Sequence, residues 1–293
     1  MMVLVAYLAL TAVLLPLGGA GLGRVLALIF HLGTAAALLA LPAWAARGRF
    51  PRVLADWLPL LLVPLLYAEL PLLMEGLPGP VTYHDPAIAG LEGFLFGTQP
   101  AYAWAGAWPL LPLSELLHAC YVSYYPLIYT PPLFVYLGMS GRARVRGAGP
   151  AYSETVLAVV LAFLLCFLVF IVFPVQGPRY LGVPAGVPDG PVRRLALLVL
   201  QGASSRGAAF PSSHVSVALA QAALALRHQP RVGRWTLAVA VGLAAGAVYG
   251  GFHYGVDALS GAAVGLVAAR MAGPLRRRLE GPDAGFTSAP DAA

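Results

Sequence analysis

The sequence predicts an all-α, polytopic membrane helix bundle, and its composition is the first observation that supports this class. Hydrophobic residues make up 59% of the 293 residues, and charged residues make up only 10%. A soluble globular domain carries about 25% charged residues, so most of this chain is expected to lie in a bilayer. The net charge of +6 does not indicate nucleic-acid binding, because the arginines fall in short segments between apolar stretches, where they determine orientation.

The second observation is the length of the apolar stretches, since a helix needs about 20 residues to cross the hydrocarbon core. Eight stretches approach or exceed this length: 2–22, 25–46, 56–75, 114–138, 152–173, 211–228, 233–251 and 254–273. We therefore predict about eight transmembrane helices. Pro59, Pro64 and Pro71 should make the third span the least regular, and Pro131 with Pro132 should kink the fourth.

The distribution of arginine predicts the orientation of these spans. Thirteen of the 18 basic residues, all of them Arg, fall on one side of the eight-span topology, and five fall on the other. The positive-inside rule then places both termini in the cytoplasm. Four of the five outer arginines lie in a single loop, 174–210, and an anionic ligand would account for them.

The outer loop at 76–113 contains no basic residue but has a high aromatic content. It includes His84, Asp85, Glu92, Trp104 and Trp108. We predict a partly helical segment that lies in the membrane interface, where Trp is enriched.

Polar residues concentrate in three short segments of this apolar chain. These are Pro174–Tyr180 after the fifth span, Phe210–His214 at the start of the sixth, and Phe252–Asp257 between the seventh and eighth. The topology brings all three to the outer side. Because ionisable groups beside hydrocarbon are costly, this cluster indicates a functional site.

Two of the three segments carry groups that suit an anion. Pro211 favours the first turn of a helix, whose free N–H groups bind anions, and Ser212 and Ser213 add hydroxyl donors. The planar guanidinium of Arg179 matches phosphate oxygens, although this residue could also be an interfacial anchor. These residues predict a phosphate-binding site.

The histidines supply the chemistry. His253 and Asp257 are spaced i, i+4, so the carboxylate can hold one ring nitrogen while the other is free to attack. His214 can then act as the acid that protonates a leaving oxygen. This combination predicts phosphoryl transfer through a phosphohistidine.

Two of these patterns resemble the signatures of a known family. Pro211-Ser212-Ser213-His214 and His253-x-x-x-Asp257 resemble the second and third signatures of the type 2 phosphatidic acid phosphatase superfamily. Within that superfamily, the chain is most similar to the inositol phosphorylceramide synthase-like, or inositolphosphotransferase, branch. The segments that carry this second resemblance are Gly177-Pro178-Arg179, His253-Tyr254 and Leu95-Phe96-Gly97.

The resemblance implies a six-helix catalytic core at 51–275, with two extra N-terminal helices at 1–50. We predict a disordered cytoplasmic tail at 276–293, because its end is rich in Gly, Pro, Asp and Ala and cannot bury a core. It implies a multi-pass cell-membrane enzyme of lipid metabolism, with its active site on the extracytoplasmic face and without a metal or cofactor. The substrate would be a membrane lipid phosphate, and the acceptor would be water, a polyol or a lipid. The roles implied are nucleophile for His253, orienting carboxylate for Asp257, acid/base for His214, and phosphate binding for Arg179, Ser212 and Ser213.

The chain departs from the superfamily pattern at two positions. Val172 or its neighbours stand where the first signature has Lys, and Ala247 stands where an Arg precedes the nucleophilic His. Both departures remove a phosphate-binding cation. We hypothesise that Arg206, Arg193 or Arg194 compensates.

Some residues near the site carry weaker expectations. Candidates for substrate contact are Gln176, Arg206, Tyr180, Glu69 and His118. Glu69 would either pair with a helix hydroxyl or line the substrate cavity. His118 and Glu115 would either contact a head group or form a structural pair. We expect His31 and the tyrosines of the fourth span to be packing residues, and His84 and Asp85 are weak candidates for a lipid head group.

Two other functional classes compete with phosphoryl transfer. Two histidines and an aspartate can form a metal-binding facial triad, which would indicate a metal-dependent hydrolase. A transporter or a lipid-binding protein with an inactive site would show the same spans. A serine hydrolase is disfavoured because the sequence has no Gly-x-Ser-x-Gly segment.

Overall fold

The computed structural model describes residues 1–19, 21–139, 147–182 and 186–280, and the regular secondary structure in these ranges is helical. The helices are α1 (Met2–Ala12), α2 (Leu14–Leu17), α3 (Leu22–Ala45), α4 (Arg49–Ala68), α5 (Leu70–Met74), α6 (Asp85–Phe96), α7 (Pro100–Ala107), α8 (Leu111–Val122), α9 (Tyr124–Tyr136), α10 (Pro150–Val172), α11 (Pro178–Leu181), α12 (Pro191–Ala203), α13 (Ser213–His228), α14 (Pro230–Tyr249) and α15 (Gly255–Glu280). The predicted all-α class is confirmed.

Five of these helices, α3, α4, α10, α14 and α15, are long and apolar enough to cross a membrane. The other three predicted spans correspond to shorter helices. Two of them are divided, into α1 with α2 and α8 with α9. The third, α13, has 16 residues, a length of about 24 Å against a hydrocarbon core of about 30 Å.

Proline explains where the predicted spans are interrupted. The ring of a proline clashes with the carbonyl four residues earlier. Accordingly α1 ends at Ala12, four residues before Pro16, and α8 ends at Val122, four residues before Pro126. The third span breaks in the same way, since α4 ends three residues before Pro71.

The fourth span is interrupted at Ser123, between α8 and α9, which the sequence analysis did not predict. α9 runs as one helix through Pro131 and Pro132, and the kink expected there remains a prediction. Pro132 cannot donate to the Ile128 carbonyl, and the buried Gln221 amide donates to that oxygen at 2.8 Å. A side chain from α13 therefore satisfies the carbonyl that the proline leaves free.

The core of the bundle is α10, which packs against α4, α9, α13 and α15. α13 and α15 approach each other closely. A Cβ atom at Gly261 would lie 2.4 Å from the Ser212 carbonyl oxygen, and one at Gly265 would lie 2.1 Å from that of Ser216. Glycine is thus required at both positions for this approach.

The predicted loop at 174–210 contains a helix that the sequence analysis missed. α12 buries Ala196 and Leu200 but exposes Leu195 and Leu198. Both carboxylate oxygens of Glu115, on α8, accept hydrogen bonds from the Val192 and Arg193 amides in its first turn. α12 is therefore an amphipathic helix whose N-terminus is capped by the Glu115 carboxylate of α8.

The C-terminal boundary also requires a correction. α15 continues to Glu280, so residues 276–280, which the sequence analysis assigned to a disordered tail, are helical, and Arg276 is buried. The predicted boundary followed the end of the apolar sequence, but the helix continues through the arginines that come after it. The rest of the predicted tail, 281–293, lies outside the described residues.

Candidate active site

The three predicted segments converge on one cavity of about 30 Å³. It is lined by Tyr67, Tyr121, Gln176, Arg179, Tyr180, Leu200, Ser204, Ser205, Ala208, Ala209, His214, Phe252 and His253. Five of the residues singled out from the sequence are among them, and they come from all three segments. The cavity also has an aromatic wall that the sequence analysis did not assign to the site.

His253 lies at the base of the cavity and is 4% exposed. Its Nδ1 is 3.0 Å from the Ala209 carbonyl oxygen and 3.4 Å from Asp257 Oδ2. A carbonyl oxygen only accepts, so Nδ1 of the neutral ring must carry the proton and Nε2 the lone pair. The backbone of Ala209, rather than Asp257 alone, fixes the tautomer.

Asp257 is fully buried and serves the loop as well as the histidine. Its Oδ2 accepts the Tyr254 amide at 2.8 Å, and its backbone carbonyl accepts the Ser212 amide at 2.9 Å. It therefore ties the His253 turn to the start of α13, while placing a carboxylate beside the imidazole.

His214 faces His253 across the cavity, with 5.6 Å between the ring centroids. Its Nε2 lies 3.4 Å from the Tyr121 hydroxyl, and its ring stacks on Tyr121 and packs against Tyr124. Its Nδ1 has no hydrogen-bond partner within the described ranges. The sequence analysis treated both tyrosines as packing residues, because nothing in a run of tyrosines identifies the one that faces a histidine.

The two serines lie at the start of α13. The Ser212 hydroxyl oxygen accepts the Val215 amide at 3.4 Å, which makes Ser212 the N-cap of the helix. Both serines are buried, and neither is among the described residues that line the cavity. Their predicted role as direct phosphate ligands remains a prediction.

Arg179 is the cation that lines the cavity. Its guanidinium lies over the Tyr180 ring at 4.7 Å, and Nη2 donates to the Leu200 carbonyl at 3.5 Å. The exposed Arg206 guanidinium lies 5.2 Å from the same ring. Arg193 and Arg194 instead form ion pairs with Asp189.

Ala247 and Val172 stand at the two positions where the superfamily signatures have a cation, and they differ in burial. Ala247 is fully buried, and its carbonyl accepts the amides of Phe252 and His253. Val172 is 65% exposed at the end of α10, so it lies outside the cavity. Neither residue therefore lines the cavity beside His253.

Glu69 and His118 lie away from the cavity. Glu69 Oε1 is 2.8 Å from Nε2 of the buried His31, so Glu69 forms a buried pair with a histidine, which neither sequence expectation included. His118 Nδ1 is 2.6 Å from the Ser114 carbonyl oxygen, and its ring packs edge-on against Phe252. Both residues are placed where they support the helices.

The structure adds Asp85 and Glu92 of α6 to the site region. Asp85 accepts the amides of Gln176 and Gly177, both at 2.9 Å, and Glu92 accepts the amide of Gly255 at 2.5 Å. The sequence signal for these contacts was that the loop 76–113 contains acidic residues but no basic ones. Its carboxylates therefore had no basic partner within the loop and could accept hydrogen bonds from backbone amides.

Burial and, less strongly, the nearby Asp257 carboxylate raise the pKa of Glu92, the Gly255 hydrogen bond lowers it, and the net pKa is about 7. The ordinary pKa is 4.5, so between pH 4.5 and 7 the folded state binds more protons here than the unfolded state. The contribution of this group to stability therefore falls as pH rises through that window.

We therefore expect Glu92→Gln to flatten the pH dependence of stability. From pH 5 to pH 8, the melting temperature of wild type should fall by about 5 °C relative to that of the variant. Thermal unfolding in detergent across this range measures the difference. Parallel curves for the two proteins would contradict the assignment.

The fold and the site define a multi-pass membrane protein with a buried, histidine-lined cavity and one lining arginine. A model of the PAP2 superfamily matches residues 103–271, more than half of the chain. The chain belongs to the PAP2 superfamily, whose members are phosphatases and phosphotransferases. Comparison with curated proteins and with solved structures gave no match.

Proposed function

We propose that this protein transfers a phosphoryl group from a membrane lipid phosphate through a phosphohistidine at His253. The observation that carries the proposal is the state of the His253 ring. Its Nδ1 is engaged by the Ala209 carbonyl, which leaves the Nε2 lone pair for attack. Arg179 and His214 line the same cavity.

The first half-reaction forms a bond between Nε2 of His253 and phosphorus. The bond between phosphorus and the leaving oxygen breaks, and protonated His214 gives its proton to that oxygen. Arg179 balances the charge on the phosphoryl oxygens. Asp257 stabilises the positive ring of the intermediate.

In the second half-reaction, an acceptor oxygen attacks phosphorus. His214 takes the acceptor proton, the phosphorus–nitrogen bond breaks, and His253 returns to its neutral form. Water as acceptor gives a phosphatase. An alcohol on a polyol or a lipid gives a head-group transferase, in the manner of the inositol phosphorylceramide synthase-like branch.

We propose that the site opens to the extracytoplasmic face of the cell membrane, with both termini in the cytoplasm, as the arginine distribution predicts. Labelling of single cysteines placed at Arg47 and Arg194 in intact cells tests this, after replacement of Cys120 and Cys166. Modification at position 194 alone by a membrane-impermeant reagent is expected.

The decisive experiment is an assay of purified protein on a panel of lipid phosphates and phospho-head-group lipids, with and without inositol and diacylglycerol as acceptors. Free phosphate and new lipid products are measured together. Phosphate alone identifies a phosphatase, and a head-group product without free phosphate identifies a transferase. Absence of both products with every pair would contradict the proposal and favour a transporter or an inactive lipid-binding protein.

A metal-dependent hydrolase is tested in the same assay. No group of three His, Cys, Asp or Glu side chains with a metal-binding arrangement occurs in the described part of the chain. Inhibition by vanadate together with turnover in the presence of a chelator is expected. Loss of activity in EDTA that zinc restores would contradict the phosphohistidine mechanism.

Asp257→Asn should lower kcat by about 10²-fold, a smaller loss than the roughly 10⁴-fold loss for the equivalent change in a Ser-His-Asp triad. In such triads the amide reverses the histidine tautomer, whereas here the Ala209 carbonyl still holds the Nδ1 proton. Steady-state kinetics and thermal unfolding of the variant measure the effect. A loss equal to that of His253→Ala would show that Asp257 alone sets the tautomer.

A further inference from the structure

We propose that Asp85 and Glu92 are positioning residues through which α6 holds the Arg179 loop and the His253 loop at a fixed separation. Both residues precede the stretch 103–271 that the superfamily model matches. Neither is among the described residues that line the cavity, so they act through the loops behind it.

Asp85 holds the loop that leads to Arg179. Asp85 is 4% exposed, and each of its two carboxylate oxygens accepts a different backbone amide. Oδ2 accepts the Gln176 amide and Oδ1 accepts the Gly177 amide. The Tyr254 hydroxyl also donates to Oδ1, at 3.4 Å. A carboxylate that accepts two adjacent amides fixes that peptide in position and orientation.

The held peptide has little freedom to relax. Gly177 has φ +89°, and a Cβ there would lie 3.0 Å from the Ala209 side chain and 3.2 Å from the Phe252 carbonyl oxygen. The turn is thus pressed against both segments that surround His253. Its position is set by Asp85 on one side and by those segments on the other.

Glu92 holds the second loop at the start of α15. It is fully buried, and its Oε1 accepts the amide of Gly255, midway between His253 and Asp257. Gly255 is the first residue of the helix, where the backbone N–H has no partner within the helix. Glu92 therefore fixes the point from which both catalytic side chains project.

One helix carries both carboxylates, and this makes the arrangement a clamp. Residues seven apart on a helix are about 10.5 Å apart along its axis. α6 is itself held at its start, where the His84 amide donates to the Pro174 carbonyl and the His84 ring stacks on Phe173 at 4.1 Å. The positions of both loops are thus fixed by hydrogen bonds to one short helix that is itself held in place.

A backbone relay extends the effect of Asp85 to the nucleophile. The Val175 amide donates to the Gly207 carbonyl, and the Ala209 amide donates to the Val175 carbonyl. The Ala209 carbonyl then accepts the His253 Nδ1 proton. Movement of the 175–177 segment would therefore displace the acceptor that fixes the tautomer.

Hydrogen exchange measured on the full-length protein tests the clamp independently of the reaction. Asp85→Asn keeps one acceptor but turns an amide NH₂ toward the other N–H, so exchange at 176–177 should speed up by about tenfold or more. Glu92→Leu should do the same at Gly255, and Glu92→Gln, which keeps the acceptor oxygen, should restore slow exchange. Glu75→Gln, at a carboxylate that is 55% exposed and pairs with Arg24, is the matched control.

The kinetic test rests on the proposed function. Asp85→Asn should raise KM and the vanadate inhibition constant by about tenfold, and Glu92→Leu should lower kcat by about tenfold with little change in KM. Unchanged loop exchange in both variants would overturn the clamp, as would faster exchange that extends equally through α10. A wild type without turnover, but with the expected loop exchange, would refute the proposed function and leave the clamp in place.

Discussion

His253→Ala should reduce turnover by on the order of 10⁴-fold or more, because loss of a nucleophile removes the covalent route altogether. The variant should also fail to retain label when a ³²P-lipid substrate is quenched rapidly in alkali, whereas wild type should yield acid-labile phosphohistidine. The measurements are product formation and the labelled intermediate.

The control for this prediction must separate chemistry from folding. His228, which lies beside Glu154 at the opposite end of α13, offers a second histidine for substitution. His228→Ala should retain activity within a few-fold. Residual turnover of His253→Ala at more than about one-tenth of wild type, a loss of less than 1.4 kcal/mol of transition-state stabilisation, would rule out His253 as nucleophile.

Arg179→Gln is expected to lower kcat/KM by about 10²-fold, or about 2.7 kcal/mol. Arg179 is the lining cation, and the two positions where signature cations are missing provide no substitute. Arg179→Lys should recover only part of the loss, because an ammonium group cannot bind two oxygens in the planar geometry of guanidinium. Steady-state kinetics with a lipid phosphate measures both variants.

Arg206 provides the matched comparison, since its guanidinium also lies over the Tyr180 ring, at 5.2 Å, but the residue is exposed. Arg206→Gln should change kcat/KM by less than about threefold, as expected for a solvated charge. An equal loss in both variants would instead support the hypothesis that Arg206 compensates for the missing cations.

The fold class could be predicted from the sequence because apolar composition and span length depend on local chemistry. The breaks within the predicted spans could not, because an apolar stretch does not reveal whether a proline will interrupt its helix. Pro126 ends α8, whereas Pro132 lies within an unbroken helix since Gln221, 89 residues away, takes up the free carbonyl. This hydrogen bond is a tertiary contact, so the sequence around Pro132 gives no indication of it.

The candidate site shows the same division. His214, His253 and Arg179 could be placed together because spacing and topology brought their segments to one side. The Ala209 carbonyl could not be predicted as a partner of His253, because any residue can supply a backbone carbonyl. The contacts of Tyr121 and Asp85 could not be predicted, because their partners lie more than 90 residues away in sequence.

The glycine contact between α13 and α15 has a consequence for how relatives of this chain could diverge. With Gly261 against the Ser212 carbonyl and the Ser212 amide donating to the Asp257 carbonyl, the start of α13, which bears His214, is held against α15, which follows His253 and bears Asp257. A change of substrate cannot be absorbed by altering their spacing without losing the chemistry. The wall formed by Tyr180, Leu200 and Ser204 has no such restriction, so a new head-group preference should evolve there first.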